Sequence, residues 1–248
     1  MTKILLLDIE TSPNTAHVWG IWQQNIAINQ LLESSQILCF AAKWLGEKDI
    51  VFKSIKSGTY KAMLKSIWKL LDEADAVVHY NGSRFDIPSL NKAFLLEGMF
   101  PPSPVIEMDL LKVARNRFRF VSNKLDYIAQ SLGLGKKEKH EGHELWIKCM
   151  AKDATAWETM EKYNKQDVIL LERVYHKFLP WIRTGINLSM YSRTGLCCPN
   201  CASTKFESKG YRTTKTTKYQ RFVCNDCGTN FRSTKGIKEK DHQTFVQI

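Results

Sequence analysis

Four acidic residues in three short segments carry the chemistry that stands out in this chain. The first segment is Leu6-Leu7-Asp8-Ile9-Glu10-Thr11. A strand alternates its faces, so Asp8 and Glu10, two apart, project to one side. Two carboxylates on one face repel each other unless a cation sits between them, and at the end of a buried strand they are costly without it. The plain alternative is a strand end reaching solvent with two ordinary surface acids. The second segment, Tyr80-Asn81-Gly82-Ser83-Arg84-Phe85-Asp86-Ile87-Pro88, runs from a strand through an Asn-Gly turn to an acid at a helix start. There Asp86 could equally be a simple N-cap. The third, Tyr163-Asn164-Lys165-Gln166-Asp167, puts a phenol and a carboxylate four apart on one helix face. A phenol beside a carboxylate can position a water that a metal has made nucleophilic, or it can be a half-buried tyrosine bonded to a helical acid.

The three segments in this order are far more specific than any one of them. Together they resemble the DEDD exonuclease superfamily in its tyrosine-bearing DEDDy subclass, over roughly residues 3–180. The second segment is most similar to the proofreading exonuclease domain of family-B DNA polymerases, and Asn123-Lys124-Leu125-Asp126-Tyr127 is similar to the stretch between that family's second and third motifs. The resemblance implies an RNase H-like fold and a 3′→5′ exonuclease that releases nucleoside 5′-monophosphates. Single-stranded DNA is the favoured substrate and RNA the alternative. It also implies two Mg²⁺ or Mn²⁺ ions. Asp8 would touch both, Glu10 and Asp167 would hold the one that activates water, Asp86 would complete the second, and Tyr163 would orient the water. Thr11, Asn81 and Phe85 would meet the terminal nucleotide, with core packing an equal alternative for Phe85. An all-oxygen acidic site suits Mg²⁺ or Mn²⁺ rather than zinc. Two competing readings are a catalytically idle module that holds nucleic acid or a replication partner, and an RNase H-type endonuclease. The complete set of acids argues against the first, and Tyr163-x3-Asp167 against the second. The chain is expected to act alone or to serve a polymerase or another replication or repair protein in trans.

A second constellation lies near the C-terminus. Cys198-Pro199-Asn200-Cys201 and Cys224-Asn225-Asp226-Cys227 form two Cys-x-x-Cys knuckles 22 residues apart, a spacing that fits one tetrahedral structural Zn²⁺. Cys197 is a spare that could replace Cys198. Gly210–Val223 reads as a β-hairpin with basic and aromatic residues interleaved, in the pattern of the zinc ribbons of transposases. Its expected role is to grip a nucleic-acid backbone, with protein docking as the alternative. Cys39 and Cys149 stand alone in apolar surroundings and read as inert core residues.

Charge agrees with a polyanionic partner. The 248 residues carry a net +11, of which +6 falls from Cys197 onward, and nucleic acid is the usual polyanion. The short apolar run after Lys3 is broken by Asp8 and is no signal peptide, and no run is long enough for a membrane span. A cytoplasmic protein is expected. Trp19, Trp22 and Trp44 could stack bases, though core packing is commoner. His140-x-x-His143 lacks further ligands and reads as part of a solvated Lys-rich loop (Lys136, Lys137, Lys139) able to meet phosphate.

The elements that must position these residues follow from periodicity. Lys3–Leu7, Ala16–Trp22, Ile37–Trp44, Ile50–Ser54 and Ala76–Tyr80 read as strands. Tyr60–Asp72, a stretch from Asp86 to Gly98, Ser122–Leu132, Glu144–Met150 and Asp153–Lys177, the last with room for one break, read as helices. Pro180 stops the last of these. Strands first and then a strand among helices predicts an α/β, RNase H-like mixed five-stranded sheet with flanking helices. The expected organisation is an exonuclease domain over 1–180, a linker over 181–196, and a zinc ribbon with a basic tail over 197–248.

Overall fold

The computed structural model describes residues 2–183, 185–193 and 195–237, so the tail over 238–248 lies outside the described residues. The chain divides into two compact units, Lys3–Val174 and Tyr175–Ile248 with Met1–Thr2. Among the described residues no helix is long and apolar enough to cross a membrane.

The larger unit runs β1 (Ile4–Thr11), β2 (Thr15–Ala16), β3 (Leu31–Glu33), β4 (Ile37–Trp44), β5 (Ile50–Ser54), α1 (Tyr60–Glu73), β6 (Ala76–His79), α2 (Asp86–Leu96), β7 (Ile106–Asp109), α3 (Leu110–Arg117), α4 (Leu125–Ser131), α5 (His143–Met150) and most of α6 (Ala154–Phe178). Five strands form one mixed sheet in the order β5-β4-β1-β6-β7. β1 lies at its centre, antiparallel to β4 and parallel to β6. The unbroken apolar run of β1 suits that place, because both its faces are covered. Leu5, Leu7 and Ile9 pack with Met63, Leu64 and Ile67 of α1 and Leu90 and Phe94 of α2. On the opposite face Leu38 and Cys39 meet Leu145 and Cys149 of α5 and Trp157, Met160 and Tyr163 of α6. Each fully buried leucine of β1 contributes about 1.5–3 kcal/mol.

The strand count matches the sequence expectation, but one member differs. Ala16–Trp22 is not a sheet strand. Only Thr15–Ala16 pairs, with β3, and the chain then leaves as an arm over residues 17–30 closed by His17 N–H to the Gln30 carbonyl at 2.9 Å. No core faces the arm, so Trp19 and Trp22 are 99% and 81% exposed. The fifth strand is β7, beside β6. It is short and follows Pro101-Pro102-Ser103-Pro104, and only its last two residues are buried, too few to show a period. α6 is continuous for 25 residues, with no glycine or proline between Ala154 and Phe178 to interrupt it.

The turn from β6 into α2 is tightly determined. Asn81 has φ +70°, a conformation asparagine tolerates better than most. The buried His79 ring accepts the Gly82 N–H at Nδ1, 3.1 Å away. A Cβ on Gly82 would stand 2.3 Å from His79 Cγ, so only glycine fits there.

The smaller unit continues from the end of α6 to β8 (Phe206–Thr213), β9 (Lys218–Cys224) and β10 (Asn230–Arg232), an antiparallel sheet in the order β10-β9-β8. Phe206, Phe222 and Phe231 make its aromatic core, with ring centroids 5.4–5.5 Å apart. Residues expected as linker are built into this unit. The Asn200 amide donates to the carbonyls of Leu179 (2.8 Å) and Ile182 (3.2 Å), and the Leu188 N–H to that of Pro199.

Candidate active site and thiol centre

Strand alternation places Asp8 and Glu10 on the α6 face of β1, and α6 brings Asp167 to them. Asp8, Glu10 and Asp167 each offer an oxygen, and the three lie within 4.8 Å of one another. Asp86 stands outside this group but next to it. β6 pairs with β1 only as far as Leu6↔Val78, so the far end of β1 has no strand on that side. There the Asp86 carboxylate accepts the Ile9 N–H at 3.1 Å. Phe85 is the N-cap of α2, so Asp86 is the first residue of the helix rather than its cap.

Crowding four acids at the head of a buried sheet perturbs them all in one direction. Burial, then Glu10, Asp167 and Asp86, hold Asp8 well above the usual carboxylate range. Burial and then Asp167 push Glu10 up to about 8. Burial pushes Asp86 up to about 7, against the pull of the Ile9 N–H. Asp167 is raised by burial and lowered again by Lys137 and Tyr163. Carboxylates displaced together in this way are a candidate functional site. Asp167 Oδ1 is buried and, among the described residues, has no hydrogen-bond partner. Three converging carboxylates, with an unpartnered oxygen on one of them, form a donor set that fits a hard divalent cation.

Two residues complete the site that the motifs did not single out. Asn164 on α6 donates to Asp8 Oδ2 at 2.6 Å and is itself fully buried. Its sequence signal is a polar side chain within the stripe Met160, Tyr163, Val168 and Leu171. Lys137, read from sequence only as a basic loop residue, donates to the Tyr163 hydroxyl at 3.1 Å and pairs with Asp167. Although burial works against its charge, Asp167 and then Tyr163 hold its ammonium more firmly protonated than usual. Its loop is pinned by Asp126 Oδ1, which accepts the Lys137 N–H at 2.8 Å, and by Arg173, which bonds the Leu134 carbonyl. His140 packs its ring edge against Tyr163 at 4.7 Å, and the described residues place no histidine in a metal-binding group.

Removing Lys137 leaves Asp167 buried without its cation. Lys137→Met is expected to destabilise the ion-free protein by about 1–3 kcal/mol, below the roughly 3–5 kcal/mol of a fully buried pair because the lysine is partly exposed. Urea denaturation without divalent ions reads this, and an unchanged midpoint would contradict it.

The remaining expected residues are spread around the site. Thr11 ends β1. The Asn81 N–H donates to Asp109 Oδ1 at 2.9 Å. Phe85 is 43% exposed, so it is not a core residue. Trp44 packs at the edge of the core, whereas Trp19 and Trp22 do not.

In the smaller unit Cys198, Cys201, Cys224 and Cys227 bring their sulfurs within 4.8 Å of one another. The Cys198–Cys227 and Cys201–Cys224 separations are each 3.6 Å. A tetrahedron of roughly 2.3 Å Zn–S bonds has sulfurs about 3.8 Å apart, so the cluster fits zinc. Cys197 is buried but not among the four. Gly228, at φ +74°, makes the second knuckle's turn. Burial opposes ionisation of Cys224, but the Cys227 and Asp226 N–H groups draw its pKa down to about 7.

The sheet order, the flanking helices and the acids at the head of the central strand define an RNase H-like α/β domain. The profile of the RNase_H superfamily matches residues 5–179, and the chain belongs to that superfamily. Among solved structures, the family B DNA polymerase from the hyperthermophilic archaeon Pyrobaculum calidifontis is similar in fold, with a TM-score of 0.56 and 18% identity over 73% of this chain. The match takes in 25% of that polymerase, so the chain spans about a quarter of its length. No curated protein matches the chain.

Proposed function

We propose that the chain is a metal-dependent 3′→5′ exonuclease that shortens single-stranded DNA, and RNA less readily, to nucleoside 5′-monophosphates. The observation that carries this reading is the cluster of Asp8, Glu10 and Asp167 with an orphaned buried oxygen, in the motif order of the DEDDy subclass. Asp8, Glu10 and Asp167 would hold one of two Mg²⁺ or Mn²⁺ ions, and Asp8 and Asp86 the other. Bound there, such ions would neutralise phosphate charge and make water acidic enough to attack at neutral pH. Tyr163, whose phenol burial and then Asp167 keep protonated, would donate a hydrogen bond that aims the water. Asn164 would fix the rotamer of Asp8. Thr11, Asn81 and the exposed Phe85 would seat the terminal nucleotide, with Trp19 and Trp22 available to stack on unpaired bases further along the strand. The four thiols would hold one structural Zn²⁺, and a polymerase or repair protein is a proposed partner.

The test uses 5′-labelled single strands of DNA and RNA of one sequence, a circular single strand, and Mg²⁺, Mn²⁺ or EDTA. A metal-dependent ladder receding from the 3′ end, with the circle intact, is expected. Cutting of the circle would instead establish an endonuclease. Strands that bind but are never shortened would leave an idle binding module.

A further inference from the structure

The smaller unit carries a groove of about 720 Å³. Four of its lining residues are arginines, Arg183, Arg212, Arg221 and Arg232, and no aspartate or glutamate lines it. They come from four segments: Arg183 follows α6, and the others sit one on each strand of the sheet. Acids are few among the described residues of this unit. Over residues 175–237 the sequence has eleven Lys/Arg against two acids, Glu207 and Asp226, and Asp226 accepts the Ser203 hydroxyl.

The sheet register adds an independent sign. Arg232 lies directly opposite Arg221 in the β10–β9 ladder. Like charges facing across a ladder are destabilising, so this pair of guanidinium groups carries a cost in stability unless an anion lies between them. Both are nonetheless held in position. Arg221 Nε donates to the Lys209 carbonyl at 2.9 Å, and Arg232 stacks 3.8 Å over the Tyr219 ring. Guanidinium forks fixed in this way are suited to phosphate oxygens, which they can bind in two-pronged fashion.

We infer that this groove binds the phosphodiester backbone of nucleic acid. A single phosphate would occupy only a small part of a groove of this volume. A run of phosphates meets all four, and its sugars find an apolar wall in Ile186 and Phe231. The side chains of Asn187 and Asn230 add neutral polar groups of the kind that accompany backbone contacts. The binding is independent of the carboxylate chemistry, and its test reads affinity rather than cleavage.

The experiment uses the full zinc-loaded chain carrying Asp8→Asn, so that any strand offered survives. Anisotropy of a fluorescent oligothymidine is titrated at several salt concentrations, with Arg183→Gln and Arg212→Gln combined. These two side chains are chosen because the other two are tied into the sheet. Each phosphate contact to a single strand contributes about 0.7 to the slope of log affinity against log salt. The double variant should therefore lose about 1.4 of slope, and about ten- to thirty-fold in affinity near 0.1 M salt. Lys215→Gln with Lys235→Gln removes the same charge outside the groove and should change affinity less than threefold. Zinc content identical to the parent shows that the variant is folded. Arg183→Lys with Arg212→Lys should recover most of the slope. Equal losses in the two glutamine variants would overturn the inference in favour of diffuse charge. So would a polyglutamate peptide that displaces the strand from the parent at comparable concentration, because the groove would then prefer acidic protein.

Discussion

Asp8→Asn is expected to make the ion-free protein more stable while abolishing its activity. Asp8 is the acid on which burial and three neighbouring carboxylates act together, so removing its charge relieves the site. A gain on the order of 1 kcal/mol raises Tm by about 2–4 °C in a unit of this size. The same change deletes the ligand proposed for both ions, and loss of several kcal/mol of transition-state stabilisation is a rate decrease of about 10³-fold or more. The pH dependence has a definite sign. A carboxyl whose folded pKa exceeds its unfolded value makes the folded state bind more protons, so stability falls as pH rises between the two values. With Glu10 near 8 and Asp86 near 7, that window runs from about 4 to about 8. His79 acts oppositely, because burial lowers its pKa, and the stability tied to its neutral ring is lost only as pH falls below about 6.5. Between pH 6.5 and 8.5 the ion-free wild type should therefore melt at progressively lower temperature, and Mg²⁺ should remove the slope. Calorimetry without divalent ions reads all of this. A melting temperature that climbs with pH, or an Asp8→Asn protein less stable than its parent, would sink the account.

Cys201→Ser should unfold the ribbon and leave the larger unit standing. In the sheet of the ribbon only Cys224 is buried, and its aromatic core is three phenylalanines. Such a core supplies little folding free energy, whereas structural zinc contributes about 10–16 kcal/mol in small zinc domains. One zinc per chain is expected in the parent and none in Cys201→Ser, with trypsin then cutting between Lys205 and Lys235. Cys197→Ser is the contrast. Its thiol lies outside the cluster, so zinc should stay. Metal analysis after dialysis distinguishes the two, and full zinc in the Cys201→Ser protein would refute the centre.

What the sequence displays is whatever depends on local spacing. Alternation put Asp8 and Glu10 on one face, a helical spacing of four brought Tyr163 and Asp167 to one side, and paired knuckles marked the thiols. Contacts set by chain path are not displayed. Nothing near Lys137 signals that its ammonium meets Asp167, because the loop that delivers it is held by Asp126, Gln166 and Arg173 from three places. β7 is hidden because two buried residues make no pattern. Ala16–Trp22 misleads for the opposite reason. It has the composition of a strand, but its apolar side chains meet no sheet.

That arm also bears on how the protein behaves in bulk solution. From Val18 to Leu32 the sequence has no charged residue, and much of the arm's apolar surface is open to water. Patches of this kind adhere to one another. The net charge of +11 keeps copies apart only while their fields reach, about 30 Å at 0.01 M salt and about 8 Å at 0.15 M. Raising the salt to strip nucleic acid from a basic protein therefore also lets the arms meet, and the cleaner preparation will be the stickier one.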